Sequence, residues 1–141
     1  MKIYLLFYFL ITISLGVKSY AGQIKIIVSN IDEEKGVIHY GVYKDSNLFP
    51  DEEGKFLGGF KEVSKVIKDG LIINNLEESN YAIAIYHDKN SNQKFDTFLA
   101  IPTEKYGFSN NAKVFLGPPR FEEASFFVGR DSIVEVMIEL R

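Results

Sequence analysis

The 141-residue sequence predicts an all-β protein, a single antiparallel β-sandwich of about seven strands following an N-terminal export signal. Three observations carry that expectation. Short stretches alternate apolar and polar side chains with a period of two, as in Ile24, Ile26 and Val28 near the start and Val134, Val136, Ile138 and Leu140 near the end. Gly, Asn, Asp and Pro punctuate the chain at short intervals. No stretch keeps a helical period for three turns.

Taken in order, the chain opens with an export signal. Lys2 is followed by an apolar run from Ile3 to Leu15, broken only by Thr12 and Ser14, and Ser19-Tyr20-Ala21 supplies the small residues a signal peptidase reads. The run is shorter than the ~20 residues of a spanning helix. Residues 1–21 are therefore expected to be removed, and residues 22–141 to form the β-sandwich domain. Loss of Lys2 and Lys18 leaves 14 basic residues against 19 acidic, a net charge of −5. The expected destination is the periplasm, cell surface or exterior, with no membrane insertion once the signal is gone, and the expected state is a monomer.

Gln23 to Ser29 reads as the first strand, Asn30 to Gly36 as a hairpin connection, and Gly36 to Tyr43 as the second strand. Lys44 to Gly59 has no period and reads as a long loop pinned by Phe49 and Phe56. Phe60 to Lys68 and Leu71 to Leu76 are expected to form a hairpin about Asp69-Gly70. Tyr81 to His87 has apolar residues on both faces and reads as a central strand. Glu123 to Val128 and Ser132 to Leu140 complete the set, with Gly129-Arg130-Asp131 as the turn between them.

Composition excludes several functions. A net charge of −3 for the whole sequence offers no basic surface for nucleic acid. The absence of cysteine removes disulfides, thiolate metal sites and a cysteine nucleophile. A hydrophobic content of 46% is that of a packed domain.

The most informative stretch is Asp88 to Asp96, DKNSNQKFD. It places oxygen-bearing side chains at relative positions 1, 3, 5 and 9, as Asp88, Asn90, Asn92 and Asp96. A hard cation such as Ca²⁺ takes about six to eight oxygens, and alternate residues of a curled loop can face it. The helix–loop–helix calcium site also needs Gly at position 6 and Glu at 12; here Gln93 and Leu99 stand there, between strands. The candidate cation set is Asp88, Asn90, Asn92, Lys94 and Asp96, with the Lys89 and Lys94 side chains pointing outward. A closing carboxylate is sought in Glu104, Glu122 or Glu123. The expected affinity is weak, a Kd of about 10⁻⁴ to 10⁻³ M. The competing reading is a loop whose Asp and Asn side chains cap its own amides.

Other chemistry is sparse. His39 reads as a surface or packed residue and His87 as a hydrogen-bonded structural one. Ser109 in Gly107-Phe108-Ser109-Asn110-Asn111 lacks the second glycine of a nucleophile elbow. Neither a phosphate-binding glycine loop nor an H-E-x-x-H motif is present. No catalytic residue is assigned. Tyr106, Phe108, Tyr86 and Phe98 read as core aromatics, or as the lining of a ligand groove.

Tyr81-Ala82-Ile83-Ala84-Ile85-Tyr86-His87-Asp88, with Asn90, Asn92, Asp96, Ile101-Pro102, Glu104, the run Tyr106 to Asn111, Pro118-Pro119, Phe121 and Ala124, resembles the secreted bacterial proteins classed as domain of unknown function 2141. The YxIxxYxDxNxNxxxD part is also similar to transthyretin-like and carboxypeptidase-regulatory-like sandwiches, and to calcium-binding repeats of surface adhesins. The resemblance implies a periplasmic or cell-surface β-sandwich with no established activity, cofactor or catalytic residue. The sequence departs from it where Gln93, Ala100 and Lys105 stand at glycine places. Glu78-Ser79-Asn80 likewise replaces a Pro-Gly-Glu-type turn.

The functional expectation is an exported, non-enzymatic binding or structural module with a weakly calcium-stabilised loop and an unidentified protein or glycan partner. The alternative is a small periplasmic hydrolase, or a small-ligand carrier, using the His87, Glu104 and Ser109 region.

Overall fold

The computed structural model describes residues 21–141. Apart from Ala21, the expected signal segment lies outside the described residues. The elements are β1 (Gly22–Ser29), β2 (Val37–Tyr43), β3 (Leu57–Glu62), α1 (Val63–Asp69), β4 (Leu71–Leu76), β5 (Ser79–Asp88), β6 (Thr97–Phe98), β7 (Ile101–Pro102), β8 (Tyr106–Phe108), α2 (Phe121–Ala124), β9 (Phe126–Val128) and β10 (Ile133–Glu139). They form a three-stranded sheet ordered β10-β1-β4 and a five-stranded sheet ordered β3-β2-β5-β8, with β9 also on β5. Strands β6 and β7 make a separate small hairpin.

The two larger sheets pack face to face, as the all-β reading requires. Ile24 and Ile26 of β1, Leu71 and Ile73 of β4, and Val136 and Ile138 of β10 meet Ile38 and Val42 of β2 and Ile83 and Ile85 of β5 in one buried cluster. The period-two pattern causes this, because alternate side chains of each strand fall on the inner face. Each such Ile or Leu is worth about 1.5–3 kcal/mol of transfer free energy. Both sheets and both apolar clusters are built from residues after Ala21.

Several local expectations fail for a common reason: the chain repeatedly crosses between sheets where a hairpin was expected. Asn30 to Gly36 carries it from β1 in one sheet to β2 in the other. Phe60 to Lys68 is not a single strand. After Glu62 the chain turns into α1, which buries Val63 and Val66 and leaves Ile67 half-exposed. Gly70 is not half of a hairpin turn but the end of that helix, with φ of 70° and its N–H donating to the Val66 carbonyl at 2.8 Å. Residues Glu123 and Ala124 belong to α2, so the expected strand shortens to β9. The sheets are antiparallel except for β1 and β10, which run parallel, Ile26 opposite Val136. That pairing joins the two ends of the fold, and almost the whole chain is its crossover.

Strand β5 is central, as its two-faced pattern requires. Tyr81, Ile83, Ile85 and His87 are buried on the inner side. On the other side Ala82 belongs to a second cluster with Phe108, Ala112 and Ala124. Phe49 packs into this cluster against Tyr43, Phe108 and Phe121, pinning the long loop after β2 as expected. Phe56 remains half-exposed, against Tyr81 and beneath the Lys44 ammonium.

Candidate functional site

Strand β5 delivers Asp88, on the same outer side as Tyr86, to the start of the polar loop that covers it. Its side chain is fully buried. Oδ1 accepts the Asn92 N–H at 3.1 Å, and Oδ2 accepts the Gln93 N–H at 2.8 Å and the His39 Nε2–H at 3.1 Å. Three donors compensate a carboxylate that burial would otherwise penalise. The sequence reads His39 as a surface or packed residue, and it is packed, with Asp88 as its partner. It reaches Asp88 because the register sets it beside Tyr86, on which its ring stacks at 4.7 Å and 2°.

The loop then winds on its own side chains. Asn90 Oδ1 accepts the Asn92 N–H at 3.0 Å, and Asn92 Oδ1 accepts the Lys94 N–H at 2.9 Å, two successive Asx turns. The Nδ2 groups of Asn90 and Asn92 converge on the Asp96 carboxylate at 2.8–3.0 Å. Those bonds, the Asn92 bond foremost, hold the Asp96 carboxyl below its ordinary value. Glu104, one of the closing carboxylates sought in the sequence, is buried and ties the two ends together. Oε1 accepts the Lys89 N–H at 3.2 Å and Oε2 the Asp96 N–H at 3.0 Å. Glu123 is occupied elsewhere, accepting the Arg120 N–H at 2.8 Å at the start of α2, and Glu122 lies beside it in that helix.

Three of the five residues of the candidate set, Asn90, Asn92 and Asp96, thus meet through side-chain atoms, and Asp88 joins them through the Asn92 backbone N–H. Lys94 enters through its backbone and leaves its side chain exposed. Among the described residues, no three carboxylate or imidazole side chains are grouped to hold a metal ion by themselves. A cation here would draw on amide and backbone oxygens as well. For that, the Asn90 and Asn92 amides must turn their oxygens toward Asp96, trading the Asx turns for the ion. The donor types fit a hard cation and predict weak binding. Ser91 and Gln93 adopt left-handed backbone, with φ of 57° and 62°, as does Ala100 at 66°. Gln93 and Ala100 are two of the places where the family resemblance leads one to expect glycine.

The residues of the hydrolase alternative are not brought into one hydrogen-bonded set. Ser109 Oγ is buried, donating to the Ala124 carbonyl at 2.6 Å and accepting the Ile83 N–H at 2.8 Å. His87 Nε2 donates to the Lys35 carbonyl at 2.7 Å, and its buried Nδ1 has no partner. Both histidine and serine hold neighbouring segments in place.

Beside the loop, the outer face of the five-stranded sheet forms a groove of about 570 Å³. Its shape follows from register. One cross-strand row is Phe60, His39, Tyr86 and Tyr106; the adjacent row is Gly58, Gly41, Ala84 and Phe108. A ridge of rings next to the small residues Gly58, Gly41 and Ala84, with Phe108 closing their row, leaves a trough. The Lys55 stem crosses its floor, with Cε 2.9 Å from where a Gly41 Cβ would stand, and its Nζ pairs with Glu52. Phe95, from the polar loop, leans on Tyr86 and Tyr106 with ring centroids 5.3 and 5.6 Å apart. Burial, reinforced by the carboxylates of Asp88 and Glu104, pushes the Tyr86 phenol up to about 12. Sequence reading found Tyr86, Tyr106 and Phe108; Phe98, named with them, is exposed on the small hairpin and lines neither core nor groove. The same reading missed His39, Gly41 and Lys55, because their alignment exists only once strand register is known.

Fold and site together define a two-sheet β-sandwich whose central strand runs into a self-capped polar loop beside an aromatic groove. The chain belongs to the bacterial family described as "uncharacterized protein conserved in bacteria (DUF2141)", whose model matches residues 26–135. No curated protein and no solved structure matches it. Among the described residues, no helix is long and apolar enough to cross a membrane.

Proposed function

We propose that this protein is an exported, non-enzymatic binding or structural module whose Asp88–Asp96 loop takes a weakly held Ca²⁺. The ion's role is to order the loop, and with it the Phe95 wall of the groove. The observation that carries this reading is that the Asn90 and Asn92 side-chain amides both reach the Asp96 carboxylate, so that turning them would bring their oxygens to it, with Glu104 closing both ends of the loop. The left-handed backbone at Ser91 and Gln93 supports it, because that conformation costs non-glycine residues energy which an ion would offset. The export signal expected from residues 1–21 fits this reading, because an exported module would meet extracellular calcium.

Thermal melts of the chain from Gly22 onward, in EDTA, millimolar Ca²⁺ and millimolar Mg²⁺, test this. An ion that binds only the folded state adds about 2.7 kcal/mol at 100 times its Kd, a rise of several degrees. A Ca²⁺-selective rise lost in Asp96→Asn supports the reading. Superimposable melts in EDTA and Ca²⁺ leave a loop closed by hydrogen bonds alone.

The groove favours a second reading, a carrier or receptor of a small ligand, since about 570 Å³ lies within the usual range for ligand sites. Native mass spectrometry of the purified protein checks it, and a spectrum of bare chain counts against it.

A further inference from the structure

Two turns at the edge of the groove present apolar side chains outward. One is the β6–β7 turn, which carries Phe98, Leu99 and Ile101; the other carries Phe115 and Leu116. Both stand over the same trough, because Ala100 and Val114 line it together. Leu99 is 82% exposed, Phe115 86% and Leu116 97%. Large apolar residues normally avoid such positions when they cluster.

Backbone conformation adds a second, independent cost. Leu99 has φ of 48° and Leu116 has φ of 54°, the left-handed region that suits Gly or Asn and penalises a leucine. Each turn therefore places leucine where the backbone disfavours it and where water surrounds it. Among the described residues nothing covers either leucine, which points to a partner surface outside them.

We infer that these two turns dock the protein peripherally on a lipid bilayer, Leu99, Phe115 and Leu116 entering shallowly among the headgroups, a departure from the sequence expectation of no membrane insertion. The shape of the surface selects that occupant. Its apolar groups stand on protruding tips, and a fluid lipid interface closes around a convex tip without needing matching pits. A protein partner would have to supply a complementary socket for each. Charge agrees. Lys94 and Lys113 each lie one residue from a groove wall, Phe95 and Val114, and both are exposed. Neither forms an ion pair among the described residues. Apolar tips flanked by unpaired ammonium groups match an interface with some anionic lipid. The carboxylates that act on the groove are Glu52, Asp88, Glu104 and Asp96. Asp96, two residues from Lys94, partly offsets its charge, which leaves Lys113 as the cation with no acidic partner among the described residues.

Flotation of the chain from Gly22 onward with phosphatidylcholine vesicles, with and without phosphatidylglycerol and in EDTA, tests the inference without reference to calcium. The protein is expected to float with vesicles, more so when phosphatidylglycerol is present and salt is low. Leu99→Asn with Leu116→Asn should lower partitioning by about tenfold or more, from the apolar area withdrawn. Asn tolerates left-handed backbone, so this variant should melt at or above the parent temperature and loss of fold does not confuse the result. Ile133→Asn, at an exposed position on the other sheet, should leave partitioning unchanged. Lys94→Gln with Lys113→Gln should remove only the phosphatidylglycerol increment. A parent protein that stays in solution with every vesicle overturns the inference, as does flotation indifferent to the leucine pair. Self-association that vanishes with Leu116→Asn, in the absence of flotation, overturns it in favour of a second copy of the chain.

Discussion

Strand β5 shows its two faces to two different kinds of cover. Inward, Tyr81, Ile83, Ile85 and His87 lie against the other sheet, sealed by regular strands whose alternate side chains interdigitate. Outward, Ala82, Ala84 and Tyr86 lie beneath loops. Loops have no ladder to hold them, so the outer side is tied by individual polar groups: Ser109 to Ile83 and Ala124, Glu104 to Lys89 and Asp96, Asn110 to Ser125. Burial on the inner side supplies stability. On the outer side, stability depends on specific hydrogen bonds, and incomplete cover leaves the groove.

Substitutions should separate the two sides, and the core should respond most. Ile83→Ala removes a fully buried side chain between the sheets and should cost about 2–5 kcal/mol in urea unfolding. Phe95→Ala, on the partly exposed groove wall, should cost well under half of that. Equal losses would mean that the outer cover is as much a core as the inner one.

Asp88→Ala comes next. It leaves the Gln93 amide and His39 Nε2 without their acceptor in a part-buried place, while the Asn92 amide keeps Asn90 Oδ1, and should cost about 1–3 kcal/mol. Hydrogen exchange should rise through Lys89 to Asp96 and stay slow in β1 and β10. An increase spread over both sheets would show that the loop is not a separate unit.

Gln93→Gly should act in the opposite direction, raising stability by about 0.5 kcal/mol, because glycine relieves the left-handed strain at little cost. Acid sharpens the same distinction. The Asp96 carboxyl is held low by Asn92 and Asn90 in the fold, so its contribution is complete above the ordinary value of 3.8 and fades as pH falls through the lower folded value. The stability difference between the parent and Asp96→Asn should therefore disappear on acidification below that range. A difference that persisted in strong acid would show that the amide–carboxylate bonds do not depend on ionisation.

Much of this was legible in the order of residues. Period-two alternation marks Ile24, Ile26, Val136 and Ile138 as inward-facing whatever their partners are, and DxNxNxxxD specifies a loop that curls on its own oxygens whether or not an ion is present. Glu104 was legible only as one of several carboxylates. The segment Val63 to Asp69 was misread because Val63, Val66 and Ile67 are β-branched residues that favour strands. Their i, i+3 and i+4 spacing also fits one helical turn, and packing against the sheets decided in favour of the helix. The positive φ at Gln93 and Ala100 follows from their loop positions and could be anticipated where glycine was expected. Lys105, the third such place, is not among the residues with positive φ.

By itself, then, the sequence determined the β class and the central strand, and it offered the self-capping loop as one of two readings, because these depend on near neighbours along the chain. Only the tertiary structure decided that β1 pairs in parallel with β10, that His39 reaches Asp88, and that a row of small residues lies beside a row of rings to open a groove. Those features join residues tens of positions apart through strand register. A shift of one residue in register would send every one of those side chains to the opposite face.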